Sequence, residues 1–226
     1  MKILITLLGL LTATAAHTQD WPNLKRYAAE NAALPAPGKK EKRVVFMGNS
    51  ITEGWIKADS AFFQKNGFVN RGISGQTTSQ MLVRFRPDVI ALKPSLVVIL
   101  AGINDIAENT GPIALKDVAG NIFSMAELAK ANGIKVLICS VLPANRFGWR
   151  KDIQPADKVI ALNNMLKTYC TENKIGYVDY YSPLVDDAKG LDARYGSDGV
   201  HPNTAGYAIM KTALEAALKK FRIRVQ

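Results

Sequence analysis

From residue 43 onward, short apolar-rich runs alternate with longer stretches in which apolar positions recur at helical spacing. The runs are RVVFMG (43–48), FVNRGIS (68–74), SLVVILAG (95–102), KVLICSVLP (135–143) and GYVDYY (176–181). Their β-branched residues come in continuous blocks rather than in strict alternation, the pattern of strands covered on both faces. Between them lie SQMLVRFRPDVIAL (79–92), interrupted by Pro87, and IALKDVAGNIFSMAELAKANG (113–133), closed by Gly133 as a C-cap. PADKVIALNNMLKTYCTENK (155–174) starts with Pro155 near its first turn, and TAGYAIMKTALEAALKK (204–220) ends the series. Gly and Pro mostly fall between these elements, where they punctuate rather than break them. Alternating strands and helices predict one α/β domain, a three-layer α/β/α sandwich on a five-stranded parallel sheet, over residues 43–226.

The N-terminal part follows another pattern. Lys2 precedes an apolar run from Ile3 to Leu11, and Ala13-Thr14-Ala15 supplies a small-residue exit. A charged start, a short apolar core and such an exit predict a signal peptide over 1–16 and an exported, periplasmic or secreted protein. The run is too short to span a bilayer, which takes about 20 residues, and no other segment is long and apolar enough. Residues 17–42 read as a polar lead-in, with Pro35 and Pro37 bracketing a turn.

Charge changes this picture little. The formal balance is +10, but the basic residues are dispersed apart from KKEKR (39–43), and no nucleic-acid motif accompanies them. A solvated basic surface is expected, with no nucleic-acid partner. Two cysteines, Cys139 and Cys170, leave a disulfide and two buried thiols equally open. Neither belongs to a CxxC pair, and His17 and His201 are the only histidines, so neither a metal site nor a cofactor is expected.

In an open parallel sheet, function collects beyond the carboxyl ends of the strands. There the sequence places GNSITEG after the first strand, GISGQTTS after the second and GINDIAENTG after the third. SDGVHPN follows the fifth after a loop. A serine hydroxyl is a weak nucleophile that needs a base, and the base needs a partner to fix its tautomer. Ser50 as nucleophile, His201 as base and Asp198 as its partner meet those needs, with Gly199 permitting a tight turn between the last two. An oxyanion needs preorganised donors, and the Ser50 and Gly75 N–H groups with the Asn104 amide supply three. Each piece has a plainer reading: Ser50 and Asn104 as helix caps, Asp105 as a turn residue, Gly75 as a bend. Their order at successive strand ends favours the catalytic one.

The blocks GNSIT, NRGISGQTTS, GIND and DGVHP, spanning 48–202, resemble those of the SGNH hydrolases, the GDSL-type lipases and esterases. Asn49 stands where that family often has aspartate. The resemblance implies nucleophile Ser50, oxyanion donors Gly75 and Asn104, orienting Asp198, base His201 and a flavodoxin-like sheet. GINDIAENTG further resembles the branch containing platelet-activating-factor acetylhydrolase catalytic subunits, and similar exported bacterial proteins include carbohydrate acetylesterases. Rival patterns are missing: no lysine follows Gly75 as a Walker loop requires, GxGxxG is absent, and so is the GxSxG elbow.

With no inserted apolar lid visible, short acyl groups on carbohydrate, acetyl first, are the expected substrate. Longer acyl chains (lysophospholipase or thioesterase) and a non-catalytic carbohydrate-binding module are the alternatives. Phe147, Trp149, Tyr180 and Tyr181 are candidates to stack on sugar rings, with core packing the plainer role. The oligomeric state is left open.

Overall fold

The computed structural model describes residues 20–225, so the leader expected over 1–16 and His17 lie outside the described residues. Five parallel strands form one sheet: β1 (Val44–Gly48), β2 (Val69–Gly72), β3 (Leu96–Leu100), β4 (Lys135–Cys139) and β5 (Gly176–Val178). Their order across the sheet is β2-β1-β3-β4-β5. Every residue of β1, β2 and β3 is buried, which explains the continuous apolar runs of β1 and β3. β1 ends where its run does, at Gly48, and the other four strands stop short of the C-terminal end of theirs, because those last residues turn outward into loops.

The connections place helices on both faces. On one face lie α2 (Ser50–Ala58), α3 (Ser60–Asn66) and α8 (Thr204–Lys220), where Phe46 of β1 meets Trp55, Phe62 and Phe63 at ring-centroid distances of 6.1, 6.4 and 5.1 Å. On the other lie α4 (Thr78–Asp88), α6 (Leu115–Ala131) and α7 (Ala156–Glu172), packed in succession against the sheet and one another. The short α5 (Ile103–Ile106) follows β3 and touches α7. Such aromatic clusters add roughly 0.5–1.5 kcal/mol per pair beyond area burial. Pro87 sits in the last turn of α4, and the chain continues as a 3₁₀ turn over Ile90–Leu92 instead of a single helix to 92. Gly133, at φ 71°, takes the left-handed position after α6, as its C-cap assignment requires.

The lead-in differs from its expected form. Leu34, just before Pro35, is extended, and the turn comes after both prolines, with Glu41 N–H donating to Gly38 O at 2.9 Å. A residue before proline is driven to extended backbone, so two closely spaced prolines straighten this segment rather than turn it. Ahead of it a helix, α1 (Ala28–Ala33), docks on α4, with Asn31 Nδ2 donating to Asp88 at 2.7 Å and to Pro87 O at 3.2 Å. Tyr27 is buried, its hydroxyl donating to Gly72 O and its ring 4.6 Å from the Arg71 guanidinium. This segment covers the end of edge strand β2, which would otherwise be open to pairing. Cys139 and Cys170 are both free and buried, and burial pushes each thiol up to about 12.

Candidate active site

The order β2-β1-β3 places the topological switch between β1 and β3, so a crevice opens above their C-terminal ends. Ser50 enters it directly from β1 as the first residue of α2. Asn49 caps the helix, its Oδ1 accepting from Ile51 N–H at 3.1 Å. Only glycine fits at 48: a Cβ there would stand 2.0 Å from Thr52 Oγ1 and 2.9 Å from Leu100 O. That close approach lets the strand turn into the helix within two residues and lifts Ser50 clear of the sheet.

His201 comes from the loop before α8. Ser50 Oγ lies 2.9 Å from His201 Nε2, and His201 Nδ1 lies 2.7 Å from Asp198 Oδ2. The other Asp198 oxygen accepts the backbone N–H groups of Val200 at 2.9 Å and His201 at 2.7 Å. Gly199, at φ 83°, makes this turn possible. Burial pushes the Asp198 carboxyl upward, but the two N–H donors and the imidazole outweigh it, and the group sits below its ordinary value. An ionised Asp198 takes the Nδ1 proton in a hydrogen bond, which leaves the Nε2 lone pair to accept from the serine. The loop is braced from α8: Asn203 caps that helix through Gly206 N–H at 3.0 Å, and Tyr207 OH donates to Ile51 O at 2.8 Å.

Asn104 reaches the loop of Gly75 through the neighbouring residue, Gln76. Gly75 is exposed at φ 78°, with nothing near the place a Cβ would occupy, so its backbone conformation alone favours glycine. Asn104 is buried in α5, and its Nδ2 donates one hydrogen to Gln76 O at 2.9 Å, leaving the second on the same nitrogen. Asn109 Nδ2 donates to Gly75 O at 3.2 Å, so two successive carbonyls of this loop are held by side chains from the segment after β3. The loop is tied to α2 as well, through Ser74 N–H donating to Glu53 at 2.9 Å.

Three supporting residues went unassigned by sequence reasoning. Asp105 is buried and accepts from Thr78 N–H at 3.0 Å and Thr78 Oγ1 at 2.6 Å, fastening α5 to the start of α4. Burial pushes its carboxyl up to about 6, with the Thr78 donors pulling back. Arg84 is wholly buried, donating to Asp88 at 2.9 Å, to Gly48 O at 3.0 Å and to the Gln76 side chain. Gln76 is the third. An arginine at a core-facing helical position is a weak sequence signal for this, but GIND offered a direct one in its acidic last residue.

The rim differs from expectation. Phe147 and Tyr180 are core residues, each 1% exposed, and cannot stack on a ligand. Each packs inward, Phe147 beneath Trp149 and Tyr180 against Trp55. Tyr181 is half-buried, and Trp149 is 47% exposed. Among the described residues no cluster of three His, Cys, Asp or Glu side chains could hold a metal ion, and no helix is long and apolar enough to cross a membrane.

Comparison with known proteins gives the fold a family. The chain is similar to the crystal structure of an acylhydrolase from Bacteroides fragilis, at 54% identity and TM-score 0.89, covering 91% of this chain and 100% of that one. It is 29% identical over 164 residues to the esterase TesA of Pseudomonas aeruginosa, covering 70% of this chain and 75% of that protein. An acetylxylan esterase of Xylanibacter ruminicola is 26% identical over 83% of this chain, which spans 45% of that protein's length. The model of the GDSL-like lipase/acylhydrolase family matches residues 46–209, from the core of β1 to the first half of α8, and the chain accordingly belongs to that family and is a carboxylic ester hydrolase.

Proposed function

We propose that the protein cleaves short-chain acyl esters, acetyl esters of carbohydrate in particular, through a covalent acyl-enzyme on Ser50. The observation that carries this reading is the continuous chain Ser50–His201–Asp198, at 2.9 and 2.7 Å. In the proposed cycle Ser50 Oγ attacks the ester carbonyl while its proton passes to His201 Nε2. The oxyanion is met by the N–H groups of Ser50 and Gly75 and by the free Asn104 amide hydrogen. Protonated His201 then gives its proton to the leaving alcohol, which departs as the tetrahedral carbon collapses to the acyl-enzyme. A water, deprotonated by His201, releases the acid and restores the serine.

Two features support a short acyl group on a sugar. Trp149 offers an exposed indole face on the rim, the kind of surface on which a pyranose ring stacks. The acetylxylan esterase similarity points the same way. The test is turnover of p-nitrophenyl esters of increasing chain length beside acetylated xylo-oligosaccharides, with Ser50→Ala as the control. Acetate should be the best p-nitrophenyl substrate and Ser50→Ala should be inert while folded. A maximum at eight carbons or longer would move the assignment to a lysophospholipase or thioesterase. Absence of turnover, with no fluorophosphonate adduct on Ser50, would favour a carbohydrate-binding module. We further propose export through the 1–16 leader, to be checked by N-terminal sequencing, which should begin near Ala16 or His17.

A further inference from the structure

The stretch 145–150, which follows β4, touches both halves of the site. Asn145 Nδ2 donates to Ala188 O at 3.1 Å, and Phe147 is buried beneath Trp149 with ring centroids 5.1 Å apart. Arg150 donates to Ala107 O at 3.1 Å and to the Glu108 carboxylate at 3.2 Å. The segment is therefore anchored at both ends and in the middle. From it, Trp149 Nε1 donates to Asn109 Oδ1 at 3.3 Å, and Asn109 in turn holds Gly75 O at 3.2 Å. The exposed indole is thus two hydrogen bonds from the oxyanion loop.

Arg146 faces the other half. A Cβ placed on Gly199, inside the Asp198–His201 turn, would lie 3.5 Å from Arg146 Cγ and 3.6 Å from its Nε. The arginine stem therefore packs on the turn that orients the imidazole. Arg146 is exposed, and its guanidinium has no hydrogen-bond or ion-pair partner among the described residues. It is an unneutralised cation on a stem packed against the Asp198–His201 turn, three residues from the exposed indole of Trp149. Asp198 does not neutralise it, being committed to His201 and Val200.

We propose that Arg146 and Trp149 form the subsite for the alcohol portion of the substrate, and that this portion is a sugar bearing a carboxylate, as in an acetylated uronic-acid polymer. The proposal rests on the carbohydrate-ester reading above. Guanidinium presents two parallel N–H groups that match a carboxylate, and it loses little on desolvation compared with an ammonium. The indole takes the apolar face of the same or the neighbouring ring. A lipid tail would make no use of the cation, and a neutral xylan would leave it idle.

The experiment compares kcat/KM on acetylated oligogalacturonides with that on acetylated xylo-oligosaccharides, alongside p-nitrophenyl acetate and a lysophosphatidylglycerol. The wild type should prefer the uronate ester by about tenfold, the scale of one charge-assisted contact, and the preference should shrink with added salt. Arg146→Gln should bring the ratio close to one by raising KM on the uronate, and Arg146→Lys should keep part of it. Trp149→Ala should raise KM on both sugar esters together. Lys116→Ala, in the first turn of α6, should keep the wild-type ratio. An equal ratio in wild type and Arg146→Gln overturns the subsite while p-nitrophenyl acetate is still turned over. Faster turnover of the lysophospholipid than of either sugar ester overturns it in favour of a phosphate-bearing substrate. If p-nitrophenyl acetate itself is not hydrolysed, the esterase reading beneath it fails too.

Discussion

Replacing Asp105 by asparagine should change how stability depends on pH, and the magnitude follows from the burial of one carboxyl. Asp105 is pushed from 3.8 up to about 6 by burial, against the pull of the Thr78 donors. The folded protein therefore holds this proton more tightly than the unfolded chain does. Stability from that proton is fully present below pH 3.8 and is lost as pH rises through about 6. A shift of this size amounts to about 3 kcal/mol in total, of which roughly 2 kcal/mol is lost between pH 4 and 7. Asparagine carries no proton to lose. Urea unfolding of both proteins from pH 4 to 8 reads the effect as the difference between the two free energies. Asparagine alters the hydrogen bonds to Thr78 and carries its own cost, but that cost does not vary with pH, and the difference isolates the titration. The difference should move in favour of Asp105→Asn by roughly 2 kcal/mol from pH 4 to 7. A difference that stays flat across that range would show that the carboxyl is not destabilised by its surroundings, and the argument from burial would be wrong.

Asn104→Ala should lower kcat by about 10²–10³ if its free amide hydrogen meets the oxyanion, and KM should change little; a loss below tenfold in steady-state assays would leave it a structural role only. Asp198→Asn should leave the fold intact but cut kcat by about 10⁴, because an amide no longer holds the imidazole in the tautomer that accepts from Ser50; pre-steady-state acylation rates would show it. Arg84→Met should destabilise by about 3–5 kcal/mol in denaturant melts, since Asp88 would remain buried with its charge uncompensated by the guanidinium. Cys139 and Cys170 should stay unreactive to a thiol reagent in the native protein and label together only on unfolding, as two buried thiols raised to about 12 require.

How far the fold could be read from the chain depended on how local its signals were. The strands β1, β3 and β4 were legible because each is a mostly apolar block buried along all or nearly all of its length, and the polar stretches after the strands named the loops that gather at one edge. The approach of Asp198 to His201 was legible too, since three residues with a glycine between them can close only a tight turn. The docking of Tyr27 and α1 onto β2 was not, because it depends on Arg71 and Gly72, more than forty positions away, and nothing in the helix itself announces them. Arg84 was hidden for a related reason: a helical arginine reads as solvent-facing unless the carbonyl, amide and carboxylate it will meet are already in place. Phe147 and Trp149 are near neighbours in one loop with opposite fates, and only the packing of the loop decides which ring goes in.

Ser50 and its base stand 151 positions apart, and the loop that carries His201 is held by a helix whose Tyr207 bonds the first turn of α2. The nucleophile and the three proposed oxyanion donors, Ser50, Gly75 and Asn104, lie in the first half of the chain, and Asp198 and His201 lie near its end. As the protein is made, the nucleophile and the oxyanion loop emerge early and wait, inert, for residues that come last. A chain cut between β5 and Asp198 keeps its serine and its five strands but has no imidazole to take the proton. Ester turnover is thus a report that both ends of the fold have closed on each other, and gentle loosening of α8 should silence the protein well before the sheet gives way.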